Sequence, residues 1–331
     1  MIPEKPKTIR WGIIGLGKIA NKFANDINNT KGAKLYGVAS RNYEKAESFA
    51  FKHHANFAFS SYEQLLKNPN VDAVYIATPH SFHKEHTILS LNYGKAVLCE
   101  KPFAMNLKEV EQMIAVAKEK NVLLMEALWT YFLPHYQFVL SELASNKYGK
   151  ILKLEADFGF KPIFHDTQSR LYKKSLGGGS LLDIGIYPIF AALSTLGEPK
   201  DIDAKATFFE NYVDSSCEMI FNYAEGTKAF LKSTLLEDTP TEAVFYCENG
   251  TITINSRFHQ PSTVTTAFNG EVKTMDFDYK TIGYHYEILH FNELIRQQKT
   301  ESPVMTFEFS RRLIKLLDNV RNIIGLEYTD S

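Results

Sequence analysis

The tightest constraint on this chain lies near its start. An apolar run over residues 8–14 stops at Gly15-Leu16-Gly17-Lys18-Ile19-Ala20. Residues 18–28 then carry Ile19, Phe23 and Ile27 at four-residue spacing, which predicts a helix with one apolar face. A strand that breaks at G-x-G-x-x-A and resumes as a helix opens a dinucleotide-binding βαβ unit. Gly15 allows the tight turn, Gly17 admits a pyrophosphate with no Cβ in the way, and Ala20 lets helix and sheet pack closely. Free N–H groups at the helix start, around Lys18 and Ile19, then face the phosphates. Standing alone, the same glycines would mark an ordinary turn; the strand before and the helix after give them their meaning.

The alternation continues. Strands are expected over 33–39, 72–77, 95–99 and 122–125, with a helix over 44–53 between the first two. Ser61 with Gln64, and Asn106 with Glu109, form two capping boxes, the second followed by Leu107, Val110, Met113, Ile114 and Ala117 on one helix face. Near-continuous apolar strands between helices mean a parallel sheet covered on both faces. From residue 151 the texture changes to longer, alternating strands separated by Glu225-Gly226, Asn249-Gly250 and Asn269-Gly270. Two closing helices are expected near 284–298 and 308–324. The fold class that follows is a doubly wound α/β Rossmann domain over 1–128, then an α+β domain over 129–331 with a mainly antiparallel, open sheet.

The rest of the chain narrows the function classes. Its 331 residues suffice for two domains, and a net charge of -1 with no basic stripe argues against nucleic acid as a partner. No apolar run near the ~20 residues of a membrane span stands out, so no membrane partner is expected. The polar start lacks the layout of a signal peptide, and Cys99, Cys217 and Cys247 are widely spaced, so a reducing cytoplasm is the expected location.

The tip of the second strand reads Ser40-Arg41-Asn42, with no Asp or Glu to accept from a ribose 2′-OH. Arg41 there can hold a 2′-phosphate, with Ser40 and Asn42 adding neutral bonds, so NADP(H) is favoured and NAD(H) remains possible. The alternative is a solvated arginine, or one stacked on adenine with either cofactor.

Two further segments carry chemistry. Glu100-Lys101-Pro102 ends a parallel strand, where the ligand crevice of such sheets lies. Lys101 there can hydrogen-bond a reacting oxygen, or simply close a strand at the surface. The second segment runs from Gly177-Gly178-Gly179 through Asp183 to Tyr187-Pro188. The glycines permit close backbone approach, and Asp183 and Tyr187 share a face if the stretch is helical, although Pro188 favours a regular helix starting just before it. A carboxylate among apolar neighbours needs a partner, and Lys101 is the candidate. Asp183 as a helix cap and Tyr187 as a core aromatic are the alternatives.

The fingerprint GLGKIA, the run Ala77-Thr78-Pro79 with His83, Glu100-Lys101-Pro102 and the GGG…D-x-G segment together resemble the glucose–fructose oxidoreductase/inositol dehydrogenase (Gfo/Idh/MocA) family over nearly the whole chain. Within it the likeness is to the branch of dihydrodiol and NADP-dependent D-xylose dehydrogenases, through Arg10-Trp11-Gly12, AVLCEKP, MEALWT, LLDIGIY and ESPV; the chain departs from that branch at Pro188 and over 201–279. The resemblance implies Lys101 as a catalytic or substrate-orienting lysine, Asp183 as its support and Tyr187 as the general acid/base. It implies Trp129 and Phe158 against the substrate, and Thr78, Pro79, His83 and Glu100 against the cofactor. It also implies a homodimer or higher homo-oligomer formed through the C-terminal sheet.

His80, His83 and His86 recur every three residues, but no paired carboxylate or cysteine follows, so no metal is expected. The expected activity is hydride transfer between NADP(H) and an alcohol or carbonyl carbon of a small sugar, polyol or trans-dihydrodiol. Two rivals stand beside it: a redox-neutral NAD-dependent glycosidase, and a cofactor-sensing protein without turnover.

Overall fold

A computed structural model describes residues 7–163 and 169–328. The chain forms two compact units, Met1–Trp129 with Lys280–Arg311, and Thr130–Tyr279 with Arg312–Ser331. In the first unit β1 (Ile9–Ile14), α1 (Lys18–Asn29), β2 (Ala33–Ala39), α2 (Tyr43–His53), β3 (Phe57–Phe59), α3 (Tyr62–Lys67), β4 (Ala73–Ile76), α4 (His83–Asn92), β5 (Ala96–Glu100), α5 (Leu107–Lys120) and β6 (Leu124–Ala127) alternate. The strands pair in parallel in the order β3-β2-β1-β4-β5-β6. β4, β5 and β6 are buried at every position, as strands covered on both faces must be. On α1 the buried face is Ala20, Phe23, Ala24 and Ile27, with Ile19 only half-buried at the helix start. Both expected capping boxes form in part. Ser61 and Asn106 accept from the N–H of Gln64 and Glu109, but the Gln64 and Glu109 side chains reach the N–H of Ser60 and Met105, one residue before the cap.

The second unit holds α6 (Pro134–Ala144), β7 (Ile151–Gly159), α7 (Ile186–Leu196), β8 (Asp201–Phe208), β9 (Asp214–Asn222), β10 (Lys228–Thr234), β11 (Ala243–Cys247), β12 (Gly250–Ile254), β13 (Val264–Phe268) and β14 (Glu271–Met275). Their order is β14-β13-β12-β11-β7-β10-β9-β8, antiparallel except for β7 with β10. The three turn dipeptides join β9 to β10, β11 to β12 and β13 to β14. α7 packs on β7 and β10 and is buried from Ile186 to Leu193. A widened π turn, Leu181–Gly185, leads into it. Pro188 lies inside α7, lacks an N–H and crowds the carbonyl four residues back, which accounts for the widening. Contrary to the sequence expectation, Lys174–Leu196 is long and apolar enough to cross a membrane by length and composition; its most apolar window is 94% buried inside the protein, as a core helix is.

α8 (Tyr284–Arg296) and α9 (Phe307–Ile324) close the chain. The sequence placed all of 129–331 in one domain, whereas Lys280–Arg311 and Trp129 group with the first unit. The physical reason is burial. The Trp11 indole, fully enclosed, donates to Asn292 Oδ1 at 3.0 Å and lies 5.2 Å from the Phe291 ring. Buried Asp26 accepts from Thr281 Oγ1 and His285 N, and Trp129 stacks on Tyr284 at 4.2 Å.

Candidate active site

At the first turn Gly15 has φ +92°, and a Cβ there would lie 2.5 Å from the backbone of Ala77 and Thr78. The β1–α1 turn therefore packs straight onto the exit of β4, and only glycine fits. Gly17 caps α1 in an extended conformation, with open space where a Cβ would point. No side chain caps α1 and its first turn holds no acidic residue, so the N–H groups from Lys18 and Ile19 onward remain available. This fits the pyrophosphate of a dinucleotide. At the tip of β2, Ser40 Oγ accepts from Asn42 N at 3.2 Å and Asn42 Oδ1 caps α2 through Lys45 N at 3.0 Å. Asn42 thus has a structural task, while the Arg41 side chain is exposed and makes no ion pair among the described residues. Near it the His86 ring meets Tyr62 and Phe82 at 4.8 and 5.7 Å. Burial lowers the His86 pKa, and the Arg41 charge pushes the same way.

The exits of β4 and β5 are tied together by His83. Its Nδ1 lies 2.9 Å from Pro102 O and its Nε2 2.9 Å from Thr78 O. Carbonyls only accept, so the ring nitrogen that carries the proton donates to one of the two, and the tautomer sets which. His86 Nδ1 meets Thr78 Oγ1 at 3.0 Å, and His80 is buried. Among the described residues no cluster of three His, Cys, Asp or Glu side chains suits a metal. The Tyr75 hydroxyl donates to buried Glu100, whose other oxygen accepts from Lys101 N at 3.2 Å. Burial, then the Glu100 charge, holds the Tyr75 pKa well above its usual value, so it stays a donor. Buried Glu126, unmarked in the sequence reading, accepts from Phe103 N at 3.1 Å just past Lys101; burial pushes its pKa up to about 7.

In the second unit, Asp183 sits in the π turn and Tyr187 in the first turn of α7, both nearly buried. Lys101 belongs to the first unit, and the ion-pair partner of Asp183 inside its own unit is Arg170, at 3.0 Å. Arg170 lies thirteen residues before Asp183, on a short helical turn, where no motif singles it out. The Tyr187 ring lies 5.7 Å from Phe158 and 4.9 Å from His259, and His259 stacks on Phe158 at 4.1 Å. His259 follows β12 on a loop whose sequence gave no hint of this company. Pro79 starts the turn before α4, while Trp129 is buried against Tyr284.

Residues 9–128 match the family model described as an oxidoreductase family with an NAD-binding Rossmann fold, and residues 136–253 match the Gfo/Idh/MocA C-terminal domain. Fold and fingerprint therefore define an NAD(P)-dependent oxidoreductase. The chain is 33% identical to the trans-1,2-dihydrobenzene-1,2-diol dehydrogenase of Xenopus tropicalis, over 96% of this chain and 99% of that one. It is 35% identical to the NADP+ scyllo-inositol 2-dehydrogenase IolU of Bacillus subtilis, over 97% and 98%. Among solved structures, the 3-ketoreductase KijD10 of Actinomadura kijaniata, in complex with NADP and TDP-benzene, superposes with a TM-score of 0.86 at 27% identity, over 96% and 98% of the two chains. The chain belongs to the Gfo/Idh/MocA family.

Proposed function

We propose that the enzyme moves a hydride reversibly between NADP(H) and an alcohol or carbonyl carbon of a small sugar, polyol or trans-dihydrodiol. The observation that carries this is Tyr187: nearly buried, on the same helical run as ion-paired Asp183, and flanked by Phe158 and His259. Flat aromatic faces suit a sugar face or a diene ring equally. The NADP in the names of IolU and the KijD10 complex, and the polyol and dihydrodiol substrates in the names of two relatives, support the same reading. When bound, the nicotinamide supplies the hydride in one direction and takes it in the other. In reduction Tyr187 gives a proton to the substrate oxygen, and in oxidation it takes that proton back. Lys101 donates a hydrogen bond to the reacting oxygen, and Asp183 supports the charge balance around it.

Steady-state assays with NADP(H) on scyllo-inositol, aldoses and dihydrodiols test this. Lys101→Ala and Tyr187→Phe each lower turnover by ~100- to 10,000-fold. Near-normal turnover in both refutes the assignment. Cleavage of a glycoside with no net change in NADPH moves the reading to a redox-neutral hydrolase, and tight binding with no turnover moves it to a sensor.

We infer too that a second copy covers the outer face of the eight-stranded sheet. There Ile220 and Phe230 stand side by side on β9 and β10, with the Lys205–Glu218 pair towards β8 and the Lys153–Glu155 pair on β7, and Val244 lies beyond Glu155, so a small apolar centre has a charged rim. Sedimentation equilibrium of Phe230→Glu gives monomers if this holds, and unchanged assembly if it does not. We place the enzyme in the cytoplasm, which the three buried free thiols support.

A further inference from the structure

Two of the three glycines that lead to Asp183 and Tyr187 are hemmed in by protein. A Cβ on Gly178 would lie 2.7 Å from the carbonyl oxygens of Arg170 and Leu171. Gly179 has φ +121°, and a Cβ there would lie 1.9 Å from Asp214 Oδ1. Asp214 opens β9 and is fully buried. Its Oδ2 accepts from both Ser180 Oγ and Leu181 N, each at 2.7 Å. Leu181 N belongs to the first turn of the helical run, where backbone donors have no partner inside the helix. Asp214 thus acts as a helix cap supplied by a different strand. Other contacts clamp the same entry. Ser180 Oγ lies 3.0 Å from Ser233 Oγ of β10, and the Tyr328 hydroxyl donates to Gly178 O at 2.7 Å.

We propose that Asp214 is a positioning residue for the reaction: its carboxyl fixes the start of the helical run and so sets where Asp183 and Tyr187 stand, without touching substrate. This rests on the assignment of Tyr187 and Asp183 to the chemistry. The run from Leu181 to Leu193 is helical and buried, so a displaced entry is passed along it to both side chains. Removing the carboxyl leaves Leu181 N and Ser180 Oγ buried with their main acceptor gone, which drives the entry to move.

The test uses the full-length enzyme with Asp214→Ala, Asp214→Asn and Ser180→Ala. Asp214→Ala lowers kcat by ~100-fold, the cost of a misplacement near 1 Å, while NADPH affinity stays at the wild-type value. Amide exchange over residues 177–187 rises in the same variant. Asp214→Asn keeps a carbonyl oxygen for Leu181 N and recovers at least ~10-fold of the lost kcat. If Asp214→Ala does not accumulate folded, Ser180→Ala, which removes one of the two bonds, shows a smaller loss of the same kind. Wild-type kcat with unchanged exchange overturns the proposal. So does a loss that Asn fails to recover and that comes with weakened NADPH binding, the mark of general unfolding. Full turnover in Tyr187→Phe sinks the functional assignment separately, and exchange over 177–187 then still decides whether Asp214 holds the run.

Discussion

Replacing Arg41 by alanine separates the two nicotinamide cofactors. The guanidinium stands exposed at the tip of β2, and among the described residues it makes no ion pair that its loss would break. Asn42 caps α2 and Ser40 braces that cap independently of it, so the loop keeps its shape in the variant. A charge-assisted hydrogen bond is worth ~1.5–3 kcal/mol, and exposure to solvent and salt draws this towards the lower figure. At ~1.4 kcal/mol per decade, Arg41→Ala weakens NADPH binding ~10- to 100-fold. NADH has no 2′-phosphate and loses at most ~2-fold, the scale of a few tenths of a kcal/mol at an exposed site. Titration of reduced-nicotinamide fluorescence at low salt and at 0.15 M reads both, and the NADPH preference of the wild type shrinks at the higher salt. Equal losses for the two cofactors would refute the reasoning and leave Arg41 as an adenine-stacking or merely solvated group.

Three further outcomes follow from the geometry. Trp11→Phe strands the Asn292 carbonyl oxygen in the interior of the first unit and costs ~1–3 kcal/mol in urea unfolding, whereas an unchanged midpoint would mean the Trp11–Asn292 bond contributes nothing net. Gly179→Ala, with φ +121° and Asp214 in the way, destabilises by more than ~4 kcal/mol. Gly94→Ala, at φ +68° in open space, costs only ~1–2 kcal/mol, and equal melting shifts for the pair would contradict the packing described. Burial raises the Glu126 pKa from 4.5 to about 7, so the native state binds more protons than the unfolded one across that window. The stability it contributes is full below pH 4.5 and is lost as pH rises to about 7. Glu126→Gln flattens the fall in Tm between those limits, and an unaltered slope refutes the shift.

Which of these features the sequence discloses depends on how far apart the cooperating residues stand. The β1–Gly15–α1 opening is local. A buried parallel strand, a forced turn and a helix face are each written in consecutive residues, and the structure differs there only in detail, as at half-buried Ile19. The candidates Lys101, Asp183 and Tyr187 were visible for the same reason, since each stands in a short motif. Their companions were not. Arg170 sits beside Asp183 within the second unit, thirteen residues away and outside any motif. His259 meets Tyr187 from a loop after β12, and α8 joins the first unit because a buried indole near the N-terminus needs an acceptor 281 residues away. A polar residue at the head of a strand, such as Asp214, looks like any other until the fold shows what faces it.

The glycine run shows why this matters for function. As sequence, Gly177-Gly178-Gly179 signals only that something approaches the backbone closely, and a ligand is the natural suspect. In the fold, the close approach to Gly178 comes from the chain's own carbonyls and the approach to Gly179 from Asp214. The glycines therefore give the helical run of Asp183 and Tyr187 a fixed point of departure. At Gly17 of the fingerprint, by contrast, the space beyond the Cα is open, as close approach of a phosphate would need. Gly17 and Gly179 thus do opposite work, one opening onto free space and one closing around a buried carboxyl. Only the identity of the nearest atom tells them apart.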